Sequence, residues 1–432
     1  MAQAPVIFSS VETMPRRELE ALQLERLQKL IPRLKSRVPL YRERLTGFDL
    51  PMALEDLRGL PFTRKVDFRD TYPLGLLAVE PSELMRVHAS SGTTGNPTIG
   101  AYTRRDLEIW GEVCARALAA AGVHPAEMFQ VAWGYGLFTG GLGMHIGAEH
   151  LGACVVPASS GNTARQMQLM EALPVVGLGC TPSYALYIAE RFRAEKRKPQ
   201  ALRIAVCGAE AWTTEMRDEI EELLDVTATN IYGLTEIIGP GVAQECAVGK
   251  AGLHIFEDHF FPEIVDPQSG EPVPDGELGE LVITTLTREA MPVLRYRTGD
   301  LTWITREPCV CGRTQARIDW FVGRVDDMLT IRGINVFPTA IEEVILSFDE
   351  LTPNYRILVD RPPTGLDRLT VEVEHAPDAR LEQDDRLRGA LERKLEATLM
   401  LSLRCTILPP MTLERVEVGK VKRVFDTRGL VR

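Results

Sequence analysis

Between Val175 and Gly208 the chain reads VVGLGC (175–180), SYALYIAERFRAEK (183–196) and LRIAVCG (202–208), and this stretch decides the fold. The outer runs are short and apolar, whereas the middle run spaces its apolar residues for a helix and carries charge between them. Strand, helix and strand joined by short turns form the unit that lays two strands parallel in one sheet. The alternation continues upstream through FQVAW (129–133), helix-compatible GLGMHIGAEHLG (141–152), CVVPA (154–158) and helix-compatible ARQMQLMEAL (164–173). We expect an α/β fold with a largely parallel sheet, whose ligands bind beyond the C-terminal ends of the strands.

Outward from this centre the texture changes. Met14 to Leu30 reads as an amphipathic surface helix, and a second helix is expected from Arg105 to Ala121. From Gly252 to Trp303 short β-rich runs with turn signals describe a smaller antiparallel unit. After Gly323 come a charged turn, a strand (MLTIRG, 328–333), a helix (PTAIEEVILSF, 338–348), strands at 355–359 and 369–374, and a charged helix from Leu381 to Thr398. The expected organisation is a large N-terminal lobe (1–322) with mixed or parallel sheets and a β-rich subdomain, followed by a small mobile α+β domain (323–432).

Composition narrows the function classes. The formal net charge of −11 disfavours a broad nucleic-acid surface, which needs a clustered positive face. No run of about 18 apolar residues suggests a membrane span, and the N-terminus has no secretory pattern, so a cytoplasmic protein is expected. Eight cysteines in 432 residues do not make a disulfide framework. Cys114, Cys154, Cys180 and Cys207 sit among apolar neighbours and read as small core residues.

Functional residues are sought first in HASSGTTGNP (88–97), where hydroxyl side chains and glycines make a loop whose donors can converge on a tetrahedral anion. It is not the lysine-bearing phosphate loop, because Asn96 stands where a lysine would be hoped for. Four further loops join it: CGAE (207–210), NIYGLTE (230–236), RYRTGD (295–300) and GKVKR (419–423). Alone, each reads equally well as a turn or a solvated charge.

Together and in this order, the loops resemble the adenylate-forming superfamily of acyl-CoA synthetases. HASSGTTGNPT, GYGLFTGGLGMHIGAE, TPSY, YGLTEIIGPGVAQEC, EDHFFPEIVDPQSGE, LRYRTGDLT and GRVDDMLTIRGINVFPTAIEE resemble, more narrowly, the phenylacetate-CoA ligases, over nearly the whole chain. The resemblance implies ATP-dependent activation of an aryl acid as an acyl-adenylate, then transfer to coenzyme A. It implies that Ser90, Ser91, Gly92, Thr93, Thr94 and Gly95 cradle phosphates, that Gly208, Ala209 and Glu210 face adenine, and that Asn230, Tyr232 and Gly233 border the base. Asp300 and Arg324 would take the ribose. Thr235 would contact the α-phosphate, Glu236 would hold Mg²⁺, and Lys420 would close over the reacting groups in the first step only. Asp326 matches the hinge. The acid would lie among Trp133, Tyr135, Phe138, Gly140, Met144, Ile237, Ile238 and Pro240. Relatives carry tyrosine and alanine at Trp133 and Met144, which leaves a differently shaped acid such as a benzoate open. Transfer to a carrier protein or an amine, a nucleotide-binding relative without turnover, and a homodimer also stay open.

Cys246, His254, Cys309 and Cys311 stand apart. Cys309-Val-Cys311 lies in a polar turn, and the four side chains would complete a tetrahedral structural Zn²⁺ site, with His259 as an alternative to His254.

Overall fold

The computed structural model describes residues 6–90, 97–321, 323–324, 329–332, 334–361, 367–377, 379, 384–416 and 421–428. The N-terminal helix α1 (Arg16–Arg37) runs beyond the expected Leu30, through Pro32, because Leu27, Leu30, Ile31 and Leu34 are buried and their packing outweighs one lost backbone donor. Short helices α2 (Pro39–Arg44) and α3 (Lys65–Asp70) follow. Next come the antiparallel pair β1 (Arg86–Ala89) and β2 (Ile99–Tyr102), and helix α4 (Arg104–Ala120).

The alternating stretch then runs β3 (Met128–Val131), α5 (Thr139–Leu151), β4 (Cys154–Val156), α6 (Thr163–Ala172), β5 (Val175–Cys180), α7 (Pro182–Ala194), β6 (Ile204–Gly208), α8 (Thr214–Leu224) and β7 (Thr227–Leu234). These strands pair in parallel, as the strand–helix–strand reading requires. Then β8 (Gly239–Glu245) pairs antiparallel with β7, and β9 (Leu253–Ile255) pairs antiparallel with β8.

The next strands are β10 (Phe260–Val265), β11 (Gly279–Thr285), β12 (Tyr296–Thr302), β13 (Ile304–Thr305), β14 (Arg317–Ile318) and β15 (Gly323–Arg324). Strands β13 and β14 extend the main sheet to nine strands, in the order β13-β14-β9-β8-β7-β6-β5-β3-β4, whereas β10, β11, β12 and β15 form a separate antiparallel sheet. The β-rich region therefore divides between two sheets. Cys154 opens the edge strand β4 and is exposed, which corrects its assignment to the core; Cys114, Cys180 and Cys207 are buried as expected.

The C-terminal part holds the hairpin β16 (Leu329–Ile331) and β17 (Ile334–Val336), α9 (Pro338–Leu346), β18 (Leu351–Asp360), β19 (Arg368–His375), α10 (Asp384–Leu399), β20 (Arg404–Leu408) and β21 (Val424–Asp426). Its four-stranded sheet has the order β20-β19-β18-β21, and Ile341, Ile345, Ile357, Val371 and Leu391 belong to a buried cluster of its own.

Glycines set the closest approaches. In β5, a Cβ on Gly177 would lie 2.6 Å from the Phe129 ring and one on Gly179 2.4 Å from the Trp133 ring, so the aromatic side chains of the β3 segment lie directly on the β5 backbone. Helix α5 seats on α4 the same way: a Cβ on Gly147 would fall 2.2 Å from Cys114 Cβ. Gly147→Ala should force these helices apart and destabilise the chain by about 1–3 kcal/mol, measured as a lowered urea midpoint.

Candidate active site

The β1–β2 turn carries the hydroxyl-rich loop. Its base is closed by two reciprocal bonds: Ser90 N–H donates to the Thr98 carbonyl at 2.9 Å, and Thr98 N–H donates to Ser90 Oγ at 2.9 Å. Ser91, Gly92, Thr93, Thr94 and Gly95 lie outside the described residues, as do Asp326 and Lys420. At the end of β1, Ala89 N–H donates to the Leu137 carbonyl at 2.9 Å, which ties that strand to the 134–138 segment. Buried His88 sits edge-on to Tyr102 and Trp110 and places Nδ1 3.0 Å from the same carbonyl. Burial holds its pKa below the ordinary value, and a carbonyl can only accept, so the ring is neutral with its proton on Nδ1.

The β7–β8 turn brings Thr235 and Glu236 alongside. Gly233 admits no side chain there, since a Cβ would lie 1.8 Å from the Gly239 carbonyl. Thr235 packs against β2, 3.1 Å from where a Gly100 Cβ would be, and both Thr235 and Glu236 are buried. The turn is held by Arg288, itself buried. Its guanidinium donates to the carbonyls of Glu236 (3.0 Å), Ile237 and Ala101 (3.2 Å) and lies over the Tyr102 ring. Among the described residues the Glu236 carboxylate meets no donor.

On the far side, the Tyr232 hydroxyl donates to Asp300 Oδ2 at 2.5 Å, and its ring packs against Phe321 at 4.5 Å. Asp300 stands opposite Arg324 in the β12–β15 register. Gly208 lets β6 approach β7 closely, a Cβ there falling 2.4 Å from the Ile231 carbonyl. The next residue, Ala209, has φ +75°, a left-handed conformation that costs a non-glycine residue free energy and sharply redirects the chain after β6. Glu210 turns its carboxylate to Ser183, accepting from Oγ at 2.7 Å and from N–H at 3.3 Å. The Asn230 N–H donates to Glu245 Oε2.

The expected acid-binding side chains gather between α5 and the β7–β8 turn. Trp133, Met144, Ile237 and Ile238 are buried in the core of the large lobe, with Tyr135 and Phe138 packed against it. Gly140 lies beneath Phe138 and Trp133, and Pro240 lies beside Gly143 and receives the Trp110 indole N–H at 2.9 Å. The Tyr135 hydroxyl is within 3.1 Å of His145 Nδ1, and burial pushes its pKa up to about 12, so it stays protonated.

Cys246, His254, Cys309 and Cys311 also come together, with their ligand atoms all within 4.8 Å of one another. Cys309 and Cys311 are buried beside Cys246 and Ala120 rather than idle in a polar turn. Cys246 and Cys309 sulfurs are 3.7 Å apart, and Cys311 Sγ is 3.4 Å from His254 Nε2. His259 is elsewhere: it faces Thr287, Asp258 and Glu112, where the fixed carboxylates attract it. Sequence reasoning missed Arg288 and His88, whose partners are backbone carbonyls distant in the chain; the one signal, for Arg288, was the charged pair Arg288-Glu289 between LVITTL and AMPVL.

Residues 55–287 match the AMP-binding enzyme model and residues 333–428 the AMP-binding enzyme C-terminal domain. The phenylacetate-coenzyme A ligase of Thermus thermophilus is 50% identical over 97% of this chain and 98% of its own, and that of Escherichia coli K12 is 44% identical over 98% of each. Among solved structures, 2-hydroxyisobutyryl-CoA ligase in the postadenylation state with 2-HIB-AMP superposes with a TM-score of 0.90 at 28% identity, covering 97% of this chain and 92% of that one. The same enzyme in the thioesterification state, with 2-HIB-AMP and CoA, gives 0.71 at 29% identity over the same shares.

Arg288→Met should leave three buried carbonyls unpaired and lower stability by about 2–4 kcal/mol in urea denaturation. Arg288→Lys should recover only part, because one ammonium cannot serve both sides of the fork.

Proposed function

Because the chain belongs to the phenylacetate-coenzyme A ligase family of AMP-binding enzymes, we propose that it activates an aryl carboxylic acid with ATP and transfers the acyl group to coenzyme A. A carboxylate is a poor electrophile, and attack of its oxygen on the α-phosphorus of ATP breaks the bond to pyrophosphate and leaves an acyl-adenylate with a good leaving group. The thiol of coenzyme A then attacks the acyl carbon and AMP departs.

The observation that carries this reading is the convergence of three separate loops on one place. Ser90 and Thr98 close the base of the hydroxyl loop next to β2, Arg288 fastens the Glu236 backbone to that strand, and Tyr232 reaches Asp300. On this reading the loop from Ser90 to Gly95 receives phosphates, the chain from Gly208 to Glu210 with Asn230, Tyr232 and Gly233 borders adenine, and Asp300 and Arg324 take the ribose. Thr235 donates to the α-phosphate. The acid's ring lies among Trp133, Phe138, Met144 and Ile238, which exclude water from the reacting carboxylate.

Glu236 suits Mg²⁺, because a buried carboxylate with no donor among the described residues calls for a cation. When bound there, Mg²⁺ supplies charge neutralisation for the departing phosphates. Lys420 contributes a cation to the first step, and rotation about Asp326 exchanges that arrangement for one open to the thiol. The acyl-adenylate-bound relative with the higher superposition score supports reading this arrangement as that of the first step.

We also propose that Cys246, His254, Cys309 and Cys311 hold a structural zinc ion. Tetrahedral Zn–S bonds of about 2.3 Å and Zn–N bonds of about 2.0 Å place sulfurs about 3.8 Å apart and sulfur and nitrogen about 3.5 Å apart. The separations of 3.7 Å and 3.4 Å fit both. Four protein ligands leave no open position, so the ion's part is to tie the β8–β9 turn to the segment before β14.

Pyrophosphate release, measured over a panel of phenylacetates, benzoates and aliphatic acids with and without coenzyme A, tests the activity; release with aliphatic acids alone would overturn it. In that assay Lys420→Ala should slow adenylation by about two to four orders of magnitude while sparing thioester formation from supplied acyl-adenylate. Elemental analysis should find about one zinc per chain, lost in the Cys309→Ser, Cys311→Ser double variant together with thermal stability.

A further inference from the structure

Glu210 lies in a segment assigned to adenine, yet its side chain is committed elsewhere. One carboxylate oxygen accepts from Ser183 at the start of α7, through Oγ at 2.7 Å and N–H at 3.3 Å. The other accepts from the backbone N–H of Val421 at 2.8 Å. Ser183 belongs to the large lobe and Val421 to the C-terminal part, so a single carboxylate bridges the two.

Its C-terminal partner is firmly anchored. Two residues on, the Arg423 carbonyl accepts from Ile357 N–H at 2.7 Å, where β21 joins β18. The Arg423 guanidinium is fixed by the Pro353 carbonyl at 2.8 Å, by Glu342 at 3.3 Å and by the Tyr355 ring at 4.3 Å, and the charge of Glu210 acts on it. Glu210 thus docks on a preorganised N–H beside a fixed cation, which makes a charge-assisted contact between the large lobe and the C-terminal part. A second contact lies along the same helix. Arg415 forks onto Glu374 at 2.7 and 3.0 Å and reaches Glu190 of α7 at 4.0 Å. Ser183 and Glu190 are two turns apart, so both docking points lie along α7.

We propose that Glu210 is a positioning residue that latches the C-terminal domain in the arrangement for acid activation and lets go when the domain turns for thioester formation. This rests on the ligase reading above. Val421 follows Lys420 directly, so the latch holds the backbone one residue, about 3.8 Å, from the lysine proposed for the first step. Both ends of the latch are chain features of an arrangement that matches the postadenylation state of the relative (TM-score 0.90) better than its thioesterification state (0.71).

Glu210→Gln, which keeps the shape and removes the charge, should slow pyrophosphate release at saturating ATP by about tenfold or more. The KM for ATP should stay within about twofold, and thioester formation from supplied acyl-adenylate should not slow. A raised KM for ATP with unchanged kcat would make Glu210 an adenine contact instead, and equal slowing of both half-reactions would make it a mere fold element; either overturns the proposal. Amide hydrogen exchange supplies a readout free of activity. In Glu210→Ala the Val421 amide should exchange faster while the Ile357 amide stays protected, and unchanged exchange at Val421 would also overturn it. A wild-type chain that releases no pyrophosphate with any acid would remove the ligase reading, and the exchange at Val421 would still decide whether the latch exists.

Discussion

The candidate site depends on the buried guanidinium of Arg288. Its donors reach carbonyls on the β7–β8 turn and on β2, two segments more than a hundred residues apart in sequence, and no hydrophobic contact could fix their spacing with the same direction. A buried cation is tolerated there because three carbonyl dipoles and the face of Tyr102 surround it. That fork fastens the Glu236 backbone to β2, and from the strand that leads into the same turn Tyr232 reaches Asp300.

Glycines supply the complementary constraint. Gly233 permits the turn to close, Gly208 lets two strands approach, and Gly147 and Gly179 let a helix and an indole lie directly on backbone. The large lobe is thereby rigid around the site, with the parallel strands delivering their loops to one edge. The C-terminal part has a separate core and meets the lobe through charged groups, Glu210 with Val421 and Glu190 with Arg415. Polar contacts of this kind can be exchanged for water at modest cost, which suits the docking and release proposed above. An apolar interface would not be so readily reversible.

Much of the fold was legible along the chain. VVGLGC and LRIAVCG became neighbouring parallel strands, and the helices between the strands formed where the apolar period called for them. The end of α1 was not legible, because Pro32 signals a stop locally while the buried leucines around it carry the helix on to Arg37. Cys154 reads as apolar by its neighbours, yet edge-strand position turns it to solvent. The division of the β-rich region between two sheets was equally hidden, since turn signals mark where strands end and not which strand they join.

The same distinction governs the site. The sequence by itself determined the order and chemistry of the loops and the pairing of Cys309 with Cys311 in one turn, because these are properties of residues adjacent in the chain. Only the tertiary structure decided that His254 and not His259 faces those cysteines, that Arg288 secures Glu236, and that the Glu210 carboxylate goes to Val421. Periodicity and turn chemistry act over a few residues, whereas the partner of a charged or metal-ligating side chain is set by which distant backbone the packed core brings within about 3 Å.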